Sequence, residues 1–88
     1  HAGLAEREGM LFVFPEDGFH TFWMKDMNFS IDIVWFSFKG EIVDIQESVS
    51  PESYPKTFAP KEKARYVLEL PSGFIEAFNV KVGDSVDF

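Results

Sequence analysis

Apolar positions in this chain recur at every second residue over most of its length, which is the period of strands rather than of amphipathic helices. The first such run, "GMLFVF", ends at Pro15-Glu16-Asp17-Gly18. That tetrapeptide has turn chemistry: Pro presets φ, Asp bonds its own backbone, and Gly takes a positive φ. The spacing predicts a hairpin of residues 10–14 and 19–24. In "IDIVWFSF", residues 31–38, Ile31, Ile33 and Trp35 fall on one face and Val34, Phe36 and Phe38 on the other. A strand apolar on both faces is a central one, covered on both sides by a second sheet or a helix. Lys39-Gly40 then turns the chain into "EIVDIQESV", where Val43, Ile45, Glu47 and Val49 alternate with Asp44, Gln46 and Ser48. The pattern predicts one buried and one wet face.

Three prolines in "PESYPKTFAP" rule out a regular strand or helix there, so residues 51–60 are expected as a long surface loop. "ARYVLEL" reads as a further strand. "SGFIEAF" is the one helical stretch: Ser72 is placed to cap it, Phe74, Ile75 and Phe78 form its apolar stripe, and Asn79 stops it. A Val-Gly-Asp turn and a last strand are expected over "VKVGDSVDF". With no repeat and no linker, residues 1–88 form a single domain. The fold class is mainly β: an antiparallel sandwich or barrel-like domain with one short helix near the C-terminus.

A chain of this size buries only about 60–65% of its unfolded surface. Eleven Phe, two Trp and two Tyr, 17% of the residues, compensate for the short length. No cysteine is present, which excludes disulfides, a thiolate nucleophile and Cys-ligated metal centres. The formal net charge is −7, with eight Lys and Arg scattered apart from the run at 61–65. Nucleic acid and anionic membrane surfaces need a concentrated basic face, so neither is an expected partner. No apolar stretch reaches the ~18 residues that membrane insertion as a span requires. No basic region precedes an apolar run at the N-terminus, so no signal peptide is expected.

Candidate chemistry is sparse. Two histidines, one of them His1, do not supply the ligand spacing of a zinc, copper or haem site, and no calcium loop or phosphate loop pattern occurs. No metal and no cofactor is expected. His20 alone is expected as a satisfied, partly buried side chain. The dense stretch "HTFWMKDM", residues 20–27, permits two readings. In one, Phe22 and Met24 fill the core, Trp23 covers a second face, and Lys25 lays its stem over an aromatic ring. In the other, Trp23, Lys25, Asp26 and Asp32 form a ligand-binding patch, the few polar groups that orient a ligand on an apolar floor. A non-catalytic module for a small molecule, glycan or extended peptide follows, with residues 51–60 as a lid. The alternative is a small hydrolase or lyase using Lys25 with Asp26, Asp32 or Glu69.

"GMLFVFP", "HTFWMKDM", "IDIVWF", "EIVDI", "YVLELPSG" and "KVGDSV", in that order, resemble domain of unknown function family 192 over about residues 3–88. The resemblance implies a compact β-sandwich-like domain of bacteria and archaea, exported or held at the cell surface in many bacterial relatives, with no established activity. Phe22, Trp23, Met24, Lys25, Asp32, Gly73, Gly83 and Asp84 match its signature positions. Two positions depart from it: Asp26 stands where Asn is usual, and Ser30 where Pro is common. Family members also carry a strand before the segment matched by Gly3-Leu4. This leads to the expectation of an open sheet edge, closed by a second copy in a homodimer or by an added peptide strand.

Overall fold

The structure, a computed structural model, describes residues 9–86. Its centre is β3 (Ile31–Phe36), and all six of its residues are buried, as a strand apolar on both faces demands. β3 is flanked by β4 (Ile42–Val49) on one side and by β6 (Ala64–Pro71) on the other, and β1 (Met10–Gly18) lies outside β6. The sheet order is therefore β1-β6-β3-β4, all pairings antiparallel. β2 (Phe22–Trp23) and β5 (Thr57–Phe58) make a separate two-stranded ribbon. The short helix α1 (Phe74–Phe78) follows β6.

Alternation along β3 divides the apolar residues between two cores. Ile31, Ile33 and Trp35 pack with Val67, Phe22, Met24 and Met27, under the β2–β5 ribbon and the turn that follows β2. Val34 and Phe36 pack with Ile42 and with Ile75 of α1 on the opposite face. The architecture is sandwich-like, with a four-stranded sheet between a small ribbon and a single-turn helix.

Several sequence expectations need correction. The hairpin of 10–14 with 19–24 does not form. β1 runs straight through Pro15 and pairs with β6, its register interrupted between Val13 and Gly18. An outer strand tolerates proline because its lost N–H faces away from the ladder. The regular alternation expected of β4 fails as well. The β3–β4 register shifts between Trp35 and Phe36, so Val43 joins one core while Ile45 packs against the other. At the C-terminal end the described residues show, in place of the expected strand, a bridge between Glu41 and Ser85, reached through the Gly83 turn at φ 97°. Residues 51–60 are a loop in the main, but they contain a 3₁₀ turn (Pro51–Ser53) and β5. The family's additional first strand and Gly3-Leu4 lie outside the described residues.

The helix is capped differently from the expectation. Gly73 occupies the N-cap position in a left-handed conformation (φ 93°) and offers no side-chain cap. Ser72 is turned instead to Ser48, with Oγ–Oγ at 2.9 Å. Asn79 stops the helix in a left-handed conformation, as read from the sequence.

Candidate functional site

Where the ribbon meets the β1–β6 side of the sheet, Phe12, Phe14, Thr21, Phe22, Trp23 and Val67 enclose an open cavity of about 160 Å³. Its formation follows from register. Phe12 and Phe14 are the inward residues of β1, and Val67 lies opposite Phe12 on β6. Phe22 and Trp23 come from β2, which is held against the sheet by its pairing with β5. Val67 and Phe22 are buried and supply the floor, whereas Thr21 and Trp23 are exposed and supply the rim. Thr21 is the one lining side chain with a hydroxyl.

The Phe14 wall is stiffened by His20. The two rings stack with centroids 3.8 Å apart and planes within 7°. His20 Nε2 lies 2.9 Å from the Glu16 carbonyl oxygen, and the His20 carbonyl accepts from Trp35 Nε1 at 2.9 Å. The satisfied, partly buried histidine expected from the sequence is therefore found, tying a cavity wall to the core. Gly18 allows this stacking, since a Cβ there would stand 3.2 Å from the imidazole.

Two aromatic rings of the ribbon carry cations, and one of them, Trp23, lines the cavity. Lys25 Nζ lies 5.7 Å from the Trp23 ring centroid, and Lys56 Nζ lies 5.1 Å from that of Phe58. Both separations are within cation–π range. Phe58 is the partner of Phe22 in the ribbon, so both lysines stand on rings that line the cavity or pair with its lining. Tyr54, from the proline-rich segment, approaches Trp23 with centroids 5.2 Å apart.

Of the four residues read as a binding patch, the fold brings together Trp23, Lys25 and Asp26 and leaves Asp32 elsewhere. Asp26 sits in the turn after β2 with φ 60°. That left-handed backbone suits Asn better than most residues, and this is a conformational reason for Asn at the matching family position. Asp32 is fully buried on the α1 face of the sheet. Its Oδ1 accepts from the Ser48 N–H at 2.8 Å and its Oδ2 from the Ile75 N–H at 2.9 Å. Asp44 does similar work, accepting from the Ile45 and Lys61 N–H groups at 2.8 and 2.9 Å.

Glu69 is fully buried on β6, between Met10 and Ile33 in register. It lies on the ribbon side of the sheet, across from Asp32. Burial raises its pKa from 4.5 to about 7. The folded protein therefore binds a proton at pH 5–6 that the unfolded chain releases, and folding stability from this group falls as pH rises through 4.5 to 7. At about 1.4 kcal/mol per pH unit the window is worth up to about 3 kcal/mol. Glu69→Gln is accordingly expected to raise stability by roughly 2–3 kcal/mol at pH 8 and by little at pH 4, read from denaturant midpoints at the two pH values. An equal effect at both would show that burial of charge is not the cause.

Cavity-lining Phe12, Phe14, Thr21 and Val67, with Tyr54 beside Trp23, were not identified from the sequence. They come from segments whose proximity depends on strand pairing, and no local pattern marks it. Among the described residues no group of three His, Cys, Asp or Glu is placed to hold a metal ion. No helix of the described residues is long and apolar enough to cross a membrane.

Comparison with known proteins places this geometry. The model of the DUF192 family, described as "Uncharacterized ACR", matches residues 1–88. A UPF0127 protein of Thermococcus sibiricus is 29% identical over 84 residues, covering 90% of this chain and 50% of that protein. A UPF0127 protein of Pyrococcus furiosus is 30% identical over 84 residues, covering 90% of this chain and 66% of its own length. The chain thus spans about half to two thirds of these relatives. Two crystal structures share the fold. A proposed transcription regulator from Sinorhizobium meliloti 1021 superposes with a TM-score of 0.87 at 31% identity, over 99% of this chain and 67% of that one. A protein of unknown function from Novosphingobium aromaticivorans DSM 12444 gives a TM-score of 0.86 at 25% identity, over 97% and 60%.

Proposed function

This chain belongs to the DUF192 family, and we propose that it is a non-catalytic binding module whose aromatic cavity takes the ring or branched apolar end of a small molecule, glycan or peptide. The observation that carries this reading is the solvent-open cavity walled by Phe12, Phe14, Phe22 and Trp23. Apolar concavities with a few polar groups at the rim are the usual form of small-ligand sites. Trp23, Lys25 and Asp26 belong to this patch.

A catalytic reading is not supported by the geometry. Lys25 is exposed on the ribbon side, Asp32 is bonded to backbone N–H groups on the far face, and Glu69 is buried in the sheet. Of the acids weighed for a catalytic pair, Asp26 stands exposed beside Lys25, and neither residue lines the cavity. Assembly through the sheet edge draws on a different observation, the position of β1 as an outer strand. It predicts a dimeric mass in solution, and a monomeric mass at high concentration would exclude it.

Trp23→Ala separates ligand binding from core packing. Trp23 is 39% exposed, so its truncation is expected to lower stability by only about 1 kcal/mol, well below the cost of a buried tryptophan. It should also abolish saturation transfer from the protein to benzyl alcohol, a neutral single-ring probe. Failure of the variant to fold would return Trp23 to the core and remove the site.

A further inference from the structure

Six side chains line the cavity and four of them are aromatic: Phe12 and Phe14 from the sheet, Phe22 and Trp23 from the ribbon. A guest therefore meets aromatic rings from two layers. Thr21 and Val67 add one hydroxyl and one aliphatic group, and no charged side chain lines the cavity. Such a lining rejects most polar groups. A sugar ring would bury several hydroxyls against one partner. A carboxylate or a primary ammonium would lose its hydration with no opposite charge and no set of hydrogen-bond partners to replace it.

A quaternary ammonium avoids these penalties. It has no N–H to satisfy, and its charge is spread over methyl groups that present an apolar surface. Aromatic rings attract such a cation through the negative potential of their faces. Volume agrees as well. A cavity of roughly 150 Å³ accommodates one benzene ring, and about 160 Å³ admits a trimethylammonium head of similar bulk. The open mouth leaves room for the rest of the molecule.

Trp23 already holds a cation, since the Lys25 ammonium lies 5.7 Å from its ring centroid. Lys25 is exposed and is not part of the lining, so it opposes a second cation only weakly. The net charge of −7 over the chain favours cationic ligands over anionic ones.

We propose that the cavity is an aromatic cage for a quaternary ammonium head, with Phe12, Phe14, Phe22 and Trp23 around the methyl groups. This rests on the binding-module reading above and adds the chemical class of ligand to it. The head can belong to a free quaternary amine or to a trimethylated lysine side chain, and the chemistry recognised is the same.

The test compares choline with 3,3-dimethylbutan-1-ol, in which carbon replaces the charged nitrogen and the shape is kept, by calorimetric titration into the wild-type chain. Choline is expected to bind roughly fivefold or more tightly than this neutral isostere, the scale of cation–π attraction in a partly desolvated site. In Trp23→Leu, which keeps an apolar wall, that preference should shrink while the alcohol binds much as before. In Lys25→Gln the competing cation is gone, so choline should bind about twofold more tightly and the alcohol unchanged. Tighter binding of Nα-acetyl-trimethyllysine amide than of choline would assign the cage to modified lysine, and the reverse to free amines; either agrees with the proposal. Choline binding no more tightly than the alcohol in the wild type would overturn the cation preference and leave the binding-module reading standing. Absence of binding by all three probes and by benzyl alcohol, with a normal melt, would overturn both.

Discussion

Trp35→Ala is expected to lower the free energy of unfolding by roughly 3–5 kcal/mol and the thermal midpoint by ~12 °C or more in a domain this small. Trp35 is the largest fully buried side chain. It sits on the central strand with Val67 on one side and Asp44 on the other in register. Truncation leaves a ring-sized void in a core that cannot collapse around it, because three strands fix its walls. The indole also donates to the His20 carbonyl at 2.9 Å, so the loss reaches the stacked His20–Phe14 pair that forms one wall of the cavity. Trp35→Phe keeps most of the volume and removes the donor, and about 1–2 kcal/mol is expected from it. Thermal and chemical denaturation of the two variants measure both figures. A small loss in Trp35→Ala would show that the sheet is not organised around this residue. The contrast with Trp23→Ala matters most, since Trp35 is fully buried in the core whereas Trp23 stands partly exposed at the cavity.

Asp32→Ala is the second large effect, at about 3 kcal/mol or more. Its carboxylate accepts two backbone N–H bonds in a fully buried position, and hydrogen bonds to a charged group are worth ~1.5–3 kcal/mol each. Helix α1 has five residues and no side-chain cap of its own. Such a helix is too short to persist alone, and Asp32 supplies its cap from the neighbouring strand. The second bond holds Ser48, a non-glycine residue at φ 49°. Hydrogen exchange is the direct measurement: in Asp32→Ala the Ile75 and Ser48 amides should lose protection ahead of β3 and β6. Asp32→Asn retains one acceptor oxygen and should lose about half as much stability. Retained protection at Ile75 in Asp32→Ala would show that α1 is held by the packing of Ile75 alone. Ligand affinity is expected to be unaffected by Asp32→Asn, because the residue lies on the face opposite the cavity.

The central strand was legible from sequence because its signal is intrinsic: apolar residues on both faces, Ile31, Ile33 and Trp35 against Val34 and Phe36, admit only a position covered on both sides, although the strand ends at Phe36 and leaves Phe38 exposed in the turn. The Lys39-Gly40 turn was legible for a similar reason, since Gly40 at φ 81° has a local requirement that only its type meets easily. The first hairpin was misread because Pro15-Glu16-Asp17-Gly18 has turn chemistry, while the outer strand β1 accepts the same residues as an irregular stretch. β4 was misread because its register shifts twice: the first irregularity sends Ile45 to the core opposite Val43, and the second returns Val49 to the core of Val43; nothing in "EIVDIQESV" marks where either falls.

The proposed site was visible in the sequence only in part. Trp23 and Lys25 stood out as an aromatic and a cation in a dense strand end. Asp32 drew notice as an acid in an apolar strand, yet that is also how a buried acceptor for backbone N–H groups looks in one dimension. Phe12, Phe14 and Val67 read as core, which they also are. Only the pairing of β1 with β6, and of β2 with β5, shows that these rings leave a gap between them.

The most direct test of the cavity as a binding site is a map of backbone amide shifts as benzyl alcohol is titrated into the isotopically labelled chain. The predicted result is saturable shifts confined to Phe12, Phe14, Thr21, Phe22, Trp23 and Val67 and to Lys25 beside Trp23, with Ser48, Ile75 and the rest of the α1 face unmoved. Saturable shifts centred on the α1 face, or none at any residue, would contradict it.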